Sequence, residues 1–260
     1  MEYEFVKVEK RDHISIVTIN RPEVYNAVHP PLSLELDQVW NEFIEDSEQW
    51  VAVLTGAGDK AFSAGNDLKY SAQPGKYKVQ QPKSGFAGLT NRFDRTKPII
   101  AAVNGFAMGG GMETALSCDI ILASENAKFA LPEVKVGFFA AAGGVQRLSR
   151  QIGKKAALEM ILTGRSVDAK EALKLGIVND VFSQSELLDK AIEKANVIAG
   201  NCPSSKKYSL EYKNNKEQLE EMSSALEKSY ELIDLLRQTE DHKEGVSAFV
   251  EKRAPQWKNK

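Results

Sequence analysis

Three short stretches of this 260-residue chain bring together residue types that could do chemistry. Gly109-Gly110-Gly111-Met112-Glu113 leads into a helical stretch at 114–117. Leu131-Pro132-Glu133 is followed by Gly137 and by Gly143-Gly144. Phe62-Ser63-Ala64-Gly65-Asn66-Asp67-Leu68-Lys69 is a small-residue turn after a strand. Three consecutive glycines cost backbone entropy, so an ordinary core rarely keeps them. Just before a helix they let a ligand approach outward-pointing N–H groups at the positive end of the helix dipole. That place favours an oxygen on which negative charge develops. A tight strand-to-helix crossing with no ligand would use the same residues. Glu113 falls in the first turn of that helix, where it could merely complement the dipole. Glu133 follows the apolar run 129–131, and a carboxyl among apolar atoms has a raised pKa and keeps its proton at neutral pH. Either glutamate alone reads as a structural or surface residue. Together with anion-stabilising amides they form a coherent set, in which one holds or activates a water and the other exchanges a proton with carbon.

Other chemistries lack their parts. Gly56-Ala57-Gly58-Asp59-Lys60-Ala61 fits the dinucleotide pattern G-x-G-x-x-A after a strand, but the residues that follow punctuate instead of starting the required helix. There is no phosphate-binding P-loop and no serine in a G-x-S-x-G setting. His13, His29 and His242 lie far apart in unrelated settings, and His13 and His242 read as surface residues. No Ser-His-Asp triad or zinc-hydrolase site can be assembled from them.

The elements that must position these residues follow from periodicity. Strands are expected at 13–19, 51–55, 98–103 and 119–123. Leu36, Val39, Trp40, Phe43 and Ile44 recur at helical spacing, with Ser33 as a candidate cap. Further helices are expected at 154–163, 168–175 and 185–199. Residues 71–85 have no period and read as a long loop. After Gly200-Asn201-Cys202-Pro203 the composition shifts to Lys, Glu and Ser, and 204–252 reads as strand-free helix. The pattern is an α/β core over 1–200 with a helical region over 201–260.

Composition bounds the rest. Lys and Arg number 34 against 36 Asp and Glu, a net charge of −2, which argues against broad coating of nucleic acid or membrane. The mixed-charge stretch 206–221 reads as a solvated helix face. Two cysteines are too few for a disulfide framework or a cysteine metal site. The amino-terminal residues resemble neither a signal nor a transit peptide, and no apolar run approaches the roughly 20 residues of a membrane helix. A cytoplasmic protein is expected.

At the glycine and glutamate stretches the sequence resembles the crotonase (enoyl-CoA hydratase/isomerase) superfamily, over nearly the whole chain. The block from Ala102-Val103-Asn104-Gly105 through Glu113 is similar to that family's most specific signature. Ala64-Gly65-Asn66-Asp67-Leu68-Lys69 resembles its A-G-x-D-L-K motif, and Glu244-Gly245-Val246-Ser247-Ala248-Phe249-Val250-Glu251-Lys252-Arg253 resembles its closing segment. The resemblance implies a spiral of ββα units with a C-terminal helical region that builds a homotrimer or a dimer of trimers. It implies an oxyanion hole from the backbone N–H groups of Asn66 and Gly110, and catalytic Glu113 and Glu133. Ala64, Asn66, Asp67, Leu68, Lys69 and Gly110 would line the CoA-thioester site, with Phe249 and Lys252 at its adenine end, supplied by a neighbouring subunit. No metal, nucleotide cofactor, nucleic acid or membrane is implied. The expected reaction is addition of water to a 2-enoyl-CoA. The alternatives are double-bond isomerisation, crotonobetainyl-CoA hydration, or a silent acyl-CoA-binding or RNA-associated scaffold. Two features depart from the usual hydratase pattern. Ala140 and Ala141 stand where hydratases place Pro and then Gly or Asp, and Asn66 stands where Ala is more usual. Gly85-Phe86-Ala87-Gly88-Leu89-Thr90 is similar to a segment of crotonobetainyl-CoA hydratases.

Overall fold

The strand residues serve two buried faces. In β3 (Val51–Gly56), Val51 and Val53 point one way and Ala52 and Leu54 the other, and all four are fully buried. A strand covered on both faces reads as an unbroken apolar run. In the computed structural model the described residues are 3–73, 81–213 and 216–257, without the side chains of 212–222. Of the expected 71–85 loop, residues 74–80 lie outside them.

Two sheets make the core. The larger contains β1 (Val6–Arg11), β2 (Ile14–Ile19), β3, β5 (Ile99–Val103), β7 (Ile120–Ser124) and β10 (Asp180–Phe182), side by side in that order. Only β1–β2 is antiparallel. The smaller holds β4 (Ala61–Ser63), β6 (Phe106–Met108), β8 (Lys128–Ala130) and β9 (Ser166–Asp168). Each successive turn of chain adds one strand to each sheet: β3 then β4, β5 then β6, β7 then β8. The α/β spiral of ββα units is therefore present. The four expected strands are β2, β3, β5 and β7. The second sheet escapes periodicity because its strands have three residues each. β1 escapes because it is an edge strand with five exposed residues of six, and Asp12 at φ 48° turns it back onto β2.

Helices occupy the expected places, with one corrected cap. α1 (Pro30–Glu45) is capped by His29, whose Nδ1 accepts from the Leu32 N–H at 3.3 Å. Ser33 lies buried inside the first turn instead. α2 (Leu68–Ser71) is a single turn and α3 (Gly110–Leu116) starts on the glycines themselves. α4 (Gly144–Gln151), α5 (Lys154–Thr163) and α6 (Ala169–Leu175) follow. α7 (Leu187–Ala199) lays Leu187, Ala191, Ala195 and Ala199 against Ile14, Val51, Ile100 and Leu122 of the large sheet. This four-residue spacing of small side chains brings helix and sheet close. Gly56-Ala57-Gly58 leads into β4, not into a helix, and is held by Asn104, whose Nδ2 donates to Gly56 O and Gly58 O at 2.8 Å each.

Beyond residue 201 the described residues form α8 (Pro203–Lys213), α9 (Lys216–Leu236) and α10 (Glu240–Glu251), and no strand. α9 packs on α4, where Gln146 donates to Ala225 O at 3.2 Å and Ser229 Oγ at 2.6 Å. α10 docks on the 3-10 turn Pro132–Val136. A Cβ on Gly245 would lie 2.7 Å from the Val136 carbonyl carbon, so glycine is what lets the backbones meet. His242 is not a surface residue. It is buried, its Nδ1 donates to Gly137 O at 3.0 Å, and its ring meets Phe138 edge-on.

Candidate active site

Two close backbone approaches assemble the site. Gly65, at φ +82°, has no room for a side chain: a Cβ there would sit 2.5 Å from Met108 O and 2.8 Å from Gly110 N. Gly111 abuts the carbonyl of Ser63 in the same way. The 63–66 segment and the start of α3 therefore touch along their main chains. On its other side this segment is tied down: Val28 N–H donates to Gly65 O at 2.7 Å, and Asp67 N–H donates to Val28 O at 3.0 Å. Asn66 N–H thus points away from Val28. Among the described residues neither Asn66 N–H nor Gly110 N–H has an intramolecular acceptor. Gly110 is the first residue of α3, so its free N–H also lies at the positive end of the helix dipole.

The two glutamates reach this place from different elements. Glu113 lies in the first turn of α3 and is 4% exposed. Its Oε1 accepts from Gly144 N–H, the first residue of α4, at 2.8 Å. Glu133 stands on the 3-10 turn Pro132–Val136, against Gly109: a Cβ at position 109 would lie 3.0 Å from Glu133 Oε1. The Glu133 Oε2 is enclosed and has no hydrogen-bond partner. A phenyl ring covers the floor, since a Cβ on Gly110 would meet Phe86 Cε1 at 2.6 Å.

Burial governs the charge of both acids. Desolvation pushes Glu133 well above the usual carboxylate range, and the neighbouring Glu113 pushes it further. Desolvation also raises Glu113, but Gly144 N–H, the Arg147 guanidinium and the Ala142 backbone pull it back. Burial therefore holds both acids above the usual carboxylate range, and more polar groups offset it at Glu113 than at Glu133. A pKa raised on folding means stability present at low pH and lost as pH rises through the folded value. Glutamine mimics the protonated acid. We therefore expect Glu133→Gln to melt several degrees higher than the parent at pH 9 and to match it at pH 5. Equal melting temperatures at both pH values would show that Glu133 ionises freely.

The remaining expected residues divide. Ala64, Asn66 and Lys69 are exposed and Leu68 is half-buried, all on the turn beside the free N–H groups. The Asp67 carboxylate pairs with Arg21 at 3.0 Å and caps α2 by accepting from Tyr70 N–H at 3.0 Å, so it holds the turn in place. Phe249 and Lys252 stand exposed at the far end of α10 and are not brought to the glutamates of their own chain. Phe86 entered the sequence reading only within the 85–90 segment, and nothing there pointed to Arg147 or to the Tyr230 of α9, which donates to Asn91 Oδ1 at 3.4 Å. The Gly143-Gly144 pair was the one signal pointing towards α4.

A double-sheet spiral that turns glycine-opened backbone and two enclosed carboxyls towards one place is the crotonase class of fold. The chain belongs to the enoyl-CoA hydratase/isomerase family, whose model matches residues 9–260. It is 42% identical to a short-chain-enoyl-CoA hydratase of Clostridium acetobutylicum over 256 residues, covering 97% of each chain. It is 43% identical to a carnitinyl-CoA dehydratase of Salmonella typhi over 250 residues, covering 94% of each. Among solved structures it superimposes on a carnitinyl-CoA hydratase from Mycobacterium avium with a TM-score of 0.93, at 40% identity and 99% coverage of both chains.

Proposed function

We propose that this chain catalyses the reversible addition of water to a 2-enoyl-CoA thioester of short or medium acyl length. The observation that carries the reading is the pair of enclosed carboxyls, Glu113 and Glu133, reaching one place beside two N–H groups without acceptors. In hydration, water oxygen bonds to C3 while Glu113 takes its proton. The C2–C3 π electrons move towards the thioester carbonyl, whose oxygen takes up negative charge and is held by the N–H groups of Asn66 and Gly110. The protonated Glu133 then delivers its proton to C2. Dehydration reverses each step. One hydration leaves Glu113 protonated and Glu133 ionised, and proton exchange with solvent after product release restores both; in this reading no metal or nucleotide cofactor takes part.

Lys69 and the backbone of residues 64–68 would receive the CoA moiety. Phe249 and Lys252 would serve the adenine end of a neighbouring copy, in keeping with their exposure. Leu232 and Leu235 of α9 and Val250 of α10 stand exposed, which supports residues 201–260 as the surface that builds a homotrimer or dimer of trimers around the 1–200 core. The enzyme would act in the cytoplasm; among the described residues no helix is long and apolar enough to cross a membrane.

Retention of both acids favours hydration over isomerisation, which needs mainly Glu133. A second reading, crotonobetainyl-CoA as the substrate, is favoured by the full-length likeness to the Mycobacterium avium structure and by the resemblance of residues 85–90 to a segment of crotonobetainyl-CoA hydratases. The test is a panel of 2-enoyl, 3-enoyl and crotonobetainyl CoA thioesters, followed by loss of conjugated ultraviolet absorbance and by product analysis. Hydrated 2-enoyl products are expected. Conversion of 3-enoyl to 2-enoyl thioesters without hydration would overturn the proposal.

A further inference from the structure

We propose that Arg147 is a positioning residue that keeps Glu113 ionised while Glu133 beside it stays protonated. The inference rests on the hydratase reading and adds a residue that neither glutamate motif contains. Two carboxyls enclosed together cannot both ionise cheaply, and without a third group the proton could sit on either. Hydration requires it on Glu133.

The geometry supplies the asymmetry. Arg147 leaves α4 one turn in and curls back towards the helix start. Its Nη1 donates to Ala142 O at 3.3 Å, and its Nη2 to Thr90 O at 2.5 Å. It occupies the space that a side chain at Gly143 would need, and Gly143, at φ +104°, leaves it free. The next residue, Gly144, gives its N–H to Glu113. The guanidinium and the N–H that grips Glu113 therefore sit at the same helix end. Among the described residues no carboxylate lies within ion-pair distance of Arg147, and Phe93 lies under the guanidinium at 5.7 Å. Burial lowers its pKa to about 10, so it remains a cation at neutral pH.

The other groups around it do not replace that charge. Glu133, from the 3-10 turn, is the competing acid, and Tyr230, from α9, is neutral, with its pKa raised by burial. Behind Arg147, Cys118 is kept as a thiol by burial, and Arg95 is already paired with Asp119. Arg147 is thus the unpaired cation placed to favour the Glu113 carboxylate.

The test uses Arg147→Gln, Arg147→Lys and Gly143→Ala, the last to displace the guanidinium without removing it. In Arg147→Gln the acid limb of the kcat/KM–pH profile should move up by about one pH unit. Lysine should recover part of the shift, Gly143→Ala should reproduce it, and KM should change little. A variant that melts lower but leaves the acid limb in place would assign Arg147 a purely structural role and overturn the proposal. A readout independent of turnover is the difference in melting temperature between pH 5 and pH 8. Arg147→Gln should enlarge that difference in the parent and leave it unchanged in a Glu113→Gln background. Enlargement in both backgrounds would also overturn it. If the parent hydrates no thioester, the hydratase reading fails, and this thermal cycle alone decides whether Arg147 biases Glu113.

Discussion

Glu133→Gln is expected to lower kcat for hydration by about a thousandfold and leave KM within a few-fold, in the middle of the usual range for a general acid. Glutamine has the shape of the protonated carboxyl, so the enclosed space beside Gly109 remains filled. It cannot give up a proton to C2. The thioester should still bind, because the expected CoA contacts lie on residues 64–69. Exchange of the C2 hydrogen with solvent, followed by NMR in deuterated buffer, should be lost in parallel. A kcat within tenfold of the parent would remove Glu133 from the mechanism. The variant should also expose the cost of the site, since the loss of activity comes with the gain in stability at high pH expected from a buried acid.

The second large effect is expected from a residue that has no side chain. Gly65→Ala would place a methyl group between Met108 O and Gly110 N, at 2.5 and 2.8 Å, and so wedge apart the two segments whose N–H groups are proposed to hold the thioester oxygen. Loss of one such donor typically costs about 10²–10³ in rate, and a loss of that size in kcat/KM is expected here. Stability should fall as well, since alanine in the left-handed region costs about 1–2 kcal/mol. Gly176→Ala separates the two effects. Gly176 has φ +80° but nothing within 4 Å of its Cβ position, so it carries the backbone strain without the wedge. It should melt lower and turn over normally. Equal losses of activity in both variants would mean that the close approach at Gly65 has no catalytic consequence.

Much of this was legible because the site is built from backbone. Gly109, Gly110 and Gly65 announce positions where side chains cannot fit, which is where the proposed main-chain donors lie. The two glutamates were legible through their setting, one opening a helix and one following a buried strand. The smaller sheet was not, because three residues do not complete a period. His242 reads as exposed in sequence because Asp241 and Lys243 flank it; its burial depends on a turn 105 positions earlier in the chain. Arg147 left no trace, since an arginine on an amphipathic helix reads as a surface charge. Its folded-back placement depends on the left-handed Gly143 before α4, since a side chain there would meet the guanidinium. Asp67 was found by its motif, yet the motif does not reveal that its carboxylate is committed to Arg21.

The docking of α10 carries a lesson for anyone who would transplant this chemistry. The turn that bears Glu133 is clamped from outside by His242 on Gly137 and by Gly245 on Val136. A graft of α3 and residues 132–144 onto another scaffold would carry both acids and all the glycines. It would leave behind the bracket that holds the turn bearing Glu133, so the portable unit of this fold is longer than its motifs.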